Sequence, residues 1–176
     1  MDGRRKKDGE KIIWARGTCP VGEVYLALGR RGLKELLINP RPVGDDAAFV
    51  RRLVQGGYMP VEDKRPLKEA FKWLDGYFSG LISPFPLPLD PDGTGFERSV
   101  WKAIAAIPMG SVMTYGALAE SIGRPKAARA VGGACGRNPI PVIIPCHRVV
   151  ASGGPGGYTG GLLIKRTLLG IEGVSI

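Results

Sequence analysis

The stretch SPFPLPLDPDGTG, residues 83–95, carries four prolines and two glycines. Proline has no backbone N–H, and its ring clashes with the preceding helical turn, so no helix and no central strand runs through such a segment. The chain is therefore expected to fold in two pieces, an N-terminal domain over 1–90 and a C-terminal domain over 91–176. Its 176 residues suffice to bury a core without disulfide staples. Thr94 followed by Glu97 is a capping-box pattern that opens a helix over FERSVWKAIAAIP. Phe96, Val100, Trp101, Ile104 and Ile107 form its apolar stripe, and Pro108 ends it.

Before the break, GEVYLALGRRGLKELLI (22–38) has the pattern of a hairpin, with Val24, Leu26 and Leu28 alternating ahead of a GRRG turn. Asp45 and Asp46 are suited to cap a helix over AAFVRRLVQ, closed by Gly56 and Gly57. In PLKEAFKWLDGYFSG, Leu67, Phe71, Leu74 and Phe78 share one helical face, and Gly80 stops the helix. The fold class this predicts is α+β: a small N-terminal αβ domain, an antiparallel sheet with helices, then a mostly helical domain.

Within the second piece, TYGALAESIGRPKAARAVGGA (114–134) predicts a helix over Tyr115–Ile122, a turn at Gly123-Arg124-Pro125, and a second helix beginning at Pro125. This is a helix-turn-helix pattern, and the formal net charge of +9 favours an anionic partner, nucleic acid ahead of a membrane surface. Ala127, Ala128, Ala130, Gly132, Gly133 and Ala134 leave the second helix nearly bare. A helix is about 10–12 Å across with its side chains, and the DNA minor groove is about 6 Å wide, so thinness matters there. Arg129, the one long cation on this helix, has the length to wedge into a base stack. Tight packing against another helix, with Arg129 merely exposed, accounts for the same residues.

The remaining chemistry sits in IPVIIPCHRVVASGGPGGYTGG (140–161), where Cys146 precedes His147, the only histidine of the chain. A thiol reacts as its thiolate and needs a base or a positive field nearby. Neighbours on an extended strand point opposite ways, so a water or a local turn must link the two side chains. An inert buried cysteine is the plainer alternative. A cysteine hydrolase normally draws its histidine from a distant part of the chain, and no second histidine exists. The glycine loop has neither Walker nor Rossmann spacing, so no nucleotide cofactor is expected. Glu172 ends the last helix, where a carboxylate opposes the helix dipole. Cys19, Cys135 and Cys146, odd in number and widely spaced, suggest neither a disulfide framework nor a zinc site. The start MDGRRKKDGEK has charge without an apolar core, and no apolar run approaches spanning length. A cytoplasmic protein without membrane contact is expected.

Residues 94–173 resemble the O6-alkylguanine-DNA alkyltransferase family. The likeness lies in Pro145-Cys146-His147-Arg148-Val149, Ala128-Arg129-Ala130-Val131 and Asn138-Pro139, with Phe96…Val100-Trp101 upstream. The resemblance implies that Cys146 takes an alkyl group, methyl above all, from O6 of guanine, and from O4 of thymine, in double-stranded DNA. The damaged nucleotide must first leave the stack. Arg129 then fills the gap, and Tyr115 turns the phosphate and gives a proton toward O6. Lys126, Ala127, Ala128 and Gly132 lie along the minor groove. His147 deprotonates Cys146 through a water, Glu172 orients His147, and Asn138 braces the turn between helix and site. Pro141, Val149, Tyr158 and Thr159 line the guanine pocket. The product is a thioether, which offers water no carbonyl to attack, so the protein acts once. No cofactor is implied. The N-terminal zinc of some relatives is not expected, because Cys19 has no histidine near it. A monomer is expected, with residues 1–90 in a structural role. The alternative is a sensor that binds alkylated DNA without repairing it, but such relatives lack the cysteine.

Overall fold

The computed structural model describes residues 9–39, 46–81 and 83–176. They belong to two compact units, Met1–Asp92 and Gly93–Ile176.

In the first unit the expected hairpin forms from β2 (Gly22–Gly29) and β3 (Gly32–Asn39). It joins β1 (Glu10–Cys19), antiparallel to β2. Helix α1 (Asp46–Gln55) then carries the chain to β4 (Tyr58–Glu62), which pairs parallel with β1, and the sheet order is β3-β2-β1-β4. The sheet is thus mixed rather than purely antiparallel, because a helical crossover precedes its last strand. Helices cover both faces. Ile12, Trp14, Tyr25 and Ala27 pack with Phe49 and Leu53 of α1. On the other face Gly17 lies so close to Phe71 of α2 (Lys68–Phe78) that a Cβ would stand 2.6 Å from the ring. This is why Val24 to Ala27 are all buried, where an alternating pattern was expected.

Two side chains depart from expectation. Tyr77, not Phe78, is buried on α2, since the face advances by three residues there instead of four. Asp46 opens α1 with its carboxylate turned to the Tyr25 hydroxyl at 3.0 Å and to Arg16 at 3.3 Å. Asp45 lies outside the described residues.

The proline-rich stretch is strapped down at its end. Leu33 N–H donates to the Pro88 carbonyl at 2.8 Å, and Asp90 N–H to the Leu33 carbonyl at 2.9 Å. Gly32 permits this approach, for a Cβ there would meet the Pro88 oxygen at 2.4 Å. Lys34 pairs with Asp90 at 2.6 Å, and the Tyr58 hydroxyl donates to Asp92 at 2.6 Å.

The second unit opens with α3 (Gly95–Ala105). Both halves of the capping box are present: Glu97 N–H to Thr94 Oγ1 at 3.2 Å, and Thr94 N–H to Glu97 Oε2 at 2.8 Å. The Trp101 indole donates to the Ala134 carbonyl of α5 (Ala128–Gly136) at 2.9 Å. Strands β5 (Met113–Thr114) and β6 (Val149–Val150) form a parallel pair. Helix α4 (Tyr115–Ser121) is capped by the Thr114 hydroxyl, which accepts from Ala117 N–H at 3.1 Å. The last helix is α6 (Leu162–Ile171).

Helix α5 starts three residues later than its proline suggested. Gly123, at φ +69°, turns the chain out of α4, and Ala127 N–H closes a turn onto the Arg124 carbonyl at 2.9 Å. Pro125 and Lys126 therefore lie in that turn, and Ala127 is the residue before the helix. Among the described residues no helix is long and apolar enough to cross a membrane.

Candidate active site

Asn138 organises the turn that carries the cysteine. Pro139 and Pro141 forbid continuation of α5, and Asn138 replaces the lost backbone bonds with its side chain. Its Oδ1 accepts from Ile140 N–H at 3.0 Å. Its Nδ2 donates to the Ile144 carbonyl at 2.7 Å and to Cys146 Sγ at 3.1 Å. Asn138 thus bonds both to the backbone of the turn and directly to the sulfur. Ile144 N–H closes onto the Ile140 carbonyl at 2.9 Å. Between these bonds Val142 sits at φ +73°, a left-handed conformation costly for a β-branched residue. Such strain persists only where the surroundings over-determine it, as these bonds and the burial of Val142 do.

Cys146–Arg148 then form a single 3₁₀ turn, not an extended segment. His147 is fully buried and Cys146 nearly so. His147 Nε2 lies 2.8 Å from Glu172 Oε1, the contact expected of that pair. Arg148 grips the same carboxylate at two points, Nε to Oε2 at 2.8 Å and Nη2 to Oε1 at 2.9 Å. Its third nitrogen, Nη1, donates to the Ile107 carbonyl at 2.5 Å.

Burial pushes the Cys146 thiol up from its ordinary value, while the Asn138 donor and the Lys165 cation pull it down. The resting group is a thiol that needs a base. Burial also holds the His147 imidazole below its ordinary value, against the upward pull of Glu172. Cys135, buried on α5, is pushed up to about 12 by the same cause, which favours its thiol form.

Lys165 on α6 is fully buried. Its ammonium donates to the carbonyls of Val149 at 2.7 Å, Pro155, and Gly157 at 3.3 Å, one acceptor for each of its three donors. It thereby ties β6 to the glycine loop. The Tyr115 hydroxyl meets the same Gly157 carbonyl at 3.4 Å. The Tyr115 ring lies against Gly132 of α5, where a Cβ would stand 3.7 Å from it, and against Gly156, where a Cβ would come within 3.0 Å. The Thr159 hydroxyl donates to the Gly136 carbonyl at 3.0 Å and fastens the loop to the end of α5.

The structure bonds Asn138 to Cys146 and, on the next residue of the same turn, His147 to Glu172, with Val149 joined to the loop through Lys165. Tyr115 and Thr159 border that loop, and the Tyr158 ring packs at Gly160. Pro141 is half-buried in the turn before the cysteine. Arg129 and Lys126 are exposed, and Ala127, Ala128 and Gly132 are half-buried. Arg137, the residue after α5, pairs with Glu97 at 2.5 Å. Sequence reasoning missed Arg148 as the second holder of Glu172, and Lys165. For Lys165 a signal existed, since it shares a helical face with Ile164, Leu168 and Leu169.

A buried cysteine beside a histidine–carboxylate pair, on a unit that also carries a helix-turn-helix, defines a protein with a nucleophilic thiol and a nucleic-acid-binding element. Residues 95–174 match the family described as 6-O-methylguanine DNA methyltransferase, DNA binding domain. A methylated-DNA–protein-cysteine methyltransferase of Methanosarcina acetivorans is 49% identical over 163 residues, 92% of this chain and 99% of that protein. The crystal structure of Mycobacterium tuberculosis O6-methylguanine methyltransferase superposes with a TM-score of 0.76 at 36% identity, covering 92% of each chain. The same organism's OGT in complex with DNA gives 0.74 at 35% identity, over 91% of this chain and 92% of that one. The chain belongs to the methylated-DNA–protein-cysteine methyltransferase family.

Proposed function

We propose that this protein repairs alkylated double-stranded DNA by moving an alkyl group, methyl above all, from O6 of guanine, and from O4 of thymine, to Cys146. The observation that carries this reading is the placement of Cys146 Sγ at 3.1 Å from the Asn138 amide, next to the buried His147–Glu172 pair. The base leaves the stack to reach the sulfur, because a duplex offers no access to O6 from this depth. Arg129, exposed on the thin α5, fills the gap it leaves.

His147 takes the thiol proton through a water, and the thiolate, held by the Asn138 donor, attacks the alkyl carbon. The carbon–O6 bond breaks with its electron pair on oxygen. Burial holds the Tyr115 phenol above its ordinary value, so it is protonated at rest and gives its proton to the base as the bond breaks. The proton on His147 returns to the Tyr115 phenolate, so the thiol's one proton ends on a guanine that stays in its strand. Lys165 shapes the pocket loop, with Pro141, Val149, Tyr158 and Thr159 at its wall. The thioether is final, so each molecule acts once, as a monomer in the cytoplasm and without a cofactor. The unit before the break serves as support.

The test is incubation with O6-methylguanine DNA followed by intact and peptide mass analysis. One methyl on Cys146, saturating at one per chain, is expected. DNA binding without a mass gain, or repeated turnover on an ester, overturns the proposal.

A further inference from the structure

We infer that Arg148 is a positioning residue for the transfer step: its two-point grip on Glu172 keeps His147 as a neutral imidazole with its proton on Nε2, the form that takes up the thiol proton. The inference deepens the reading above and rests on His147 being the base.

The geometry builds it in order. Two guanidinium nitrogens lie at 2.8 and 2.9 Å from the two oxygens of Glu172, a fork that matches an ionised carboxylate. An ionised carboxylate is an acceptor only. His147 Nε2, at 2.8 Å from Oε1, must then be the donor. A neutral imidazole has one N–H, so Nδ1 carries the lone pair.

Charge follows the same logic. A buried carboxylate facing an imidazole alone favours the imidazolium, which has no lone pair to offer. Here the carboxylate already has a cation on both oxygens, and its Oε1 is shared between Arg148 and His147. The groups that act on His147 are Glu172 at the end of α6, Lys165 on α6 and Arg148 on its own turn. Two of the three are cations, and burial acts with them. Arg148 has a second anchor besides Glu172, because its third nitrogen donates to the Ile107 carbonyl beyond α3. Lysine offers one point of contact where arginine offers a fork, so it does not reproduce the arrangement.

His147 is the only histidine of the chain, so its ring nitrogens give one unambiguous set of NMR signals in tag-free protein. In the unmodified chain the spectrum is expected to show Nε2–H and a neutral ring at pH 7. In Arg148→Gln the His147 titration is expected to move up by at least one pH unit. Alkylation by free O6-benzylguanine should then fall about tenfold on the acid side while recovering at higher pH. Arg148→Lys should move both in the same direction by less, and it carries the test if the glutamine variant does not fold. An unmoved titration with a uniformly slowed rate overturns the inference, as does an Nδ1–H tautomer in the unmodified chain. A rate profile of the unmodified chain that fails to follow its own His147 titration counts instead against His147 as the base.

Discussion

At the scale of single residues, the site is a set of buried polar groups with almost no slack. Burial favours the thiol of Cys146, and the Asn138 amide and the Lys165 cation oppose that effect. Replacing Cys146 by alanine removes the acceptor but none of the hydrogen bonds that shape the turn, apart from the one to sulfur. Cys146→Ala is expected to abolish the mass gain and retain duplex affinity in a gel-shift assay. Lys165→Met removes the ammonium donor from the Val149, Pro155 and Gly157 carbonyls, of which Gly157 keeps the longer Tyr115 contact, and the glycine loop should loosen. Faster amide exchange over residues 151–160 and slower transfer from DNA are expected together. Cys146 and His147 stood out in the sequence because their residue types are rare in this chain, with one histidine in 176 residues, whereas the role of Glu172 came only with the family resemblance. The partners of Arg148 and Lys165 were not legible, since the carboxylate and the carbonyls that receive these cations come together only in the fold, although Arg148 stood beside the cysteine and Lys165 on an apolar helical face.

At the scale of elements, end signals were more legible than partners. The capping box at Thr94 and the stops at Pro108 and Gly80 lie within a few residues of what they control. β4 went unseen because its one partner, β1, lies some forty residues earlier in the chain, and β1 because EKIIWARGTC is buried on both faces in its middle and shows no clean alternation. The start of α5 was misplaced because a proline that fits a first helical turn fits an ordinary turn as well. Thr94→Ala removes one hydroxyl acceptor from α3 and should cost about 1 kcal/mol. A melting temperature lower by roughly 2–4 °C in calorimetry would register it. Arg129→Ala should slow repair of a duplex more than reaction with free O6-benzylguanine, because only the duplex has a stack to fill. Equal losses on the two substrates would contradict the wedge.

At the scale of the whole molecule, the excess of nine positive charges sets how the protein meets DNA. Affinity for duplex should fall linearly on a log–log plot against salt, as condensed counterions return to the phosphates. Lys126 sits in an exposed turn beside α5, and Lys126→Ala should reduce the magnitude of that slope by about 1 without altering the pH profile of transfer. A slope unchanged by the substitution would place Lys126 away from the phosphates. The passage from one compact unit to the other falls within the proline stretch of residues 83–95, but the way the stretch is used is not encoded in its composition. Backbone bonds strap residues 88–90 onto Leu33.

The bond from the Trp101 indole to the Ala134 carbonyl has a further consequence. Trp14 and Trp73 belong to the first unit, so Trp101 is the sole tryptophan of the second. Its N–H is held by the same helix that bears Arg129 and leads into Asn138. Emission from indole shifts in wavelength and intensity when its hydrogen-bonded surroundings change. A chain with Trp14 and Trp73 replaced by phenylalanine would therefore carry a built-in optical gauge of α5, able to time the helix's response to DNA and to alkylation without any attached dye.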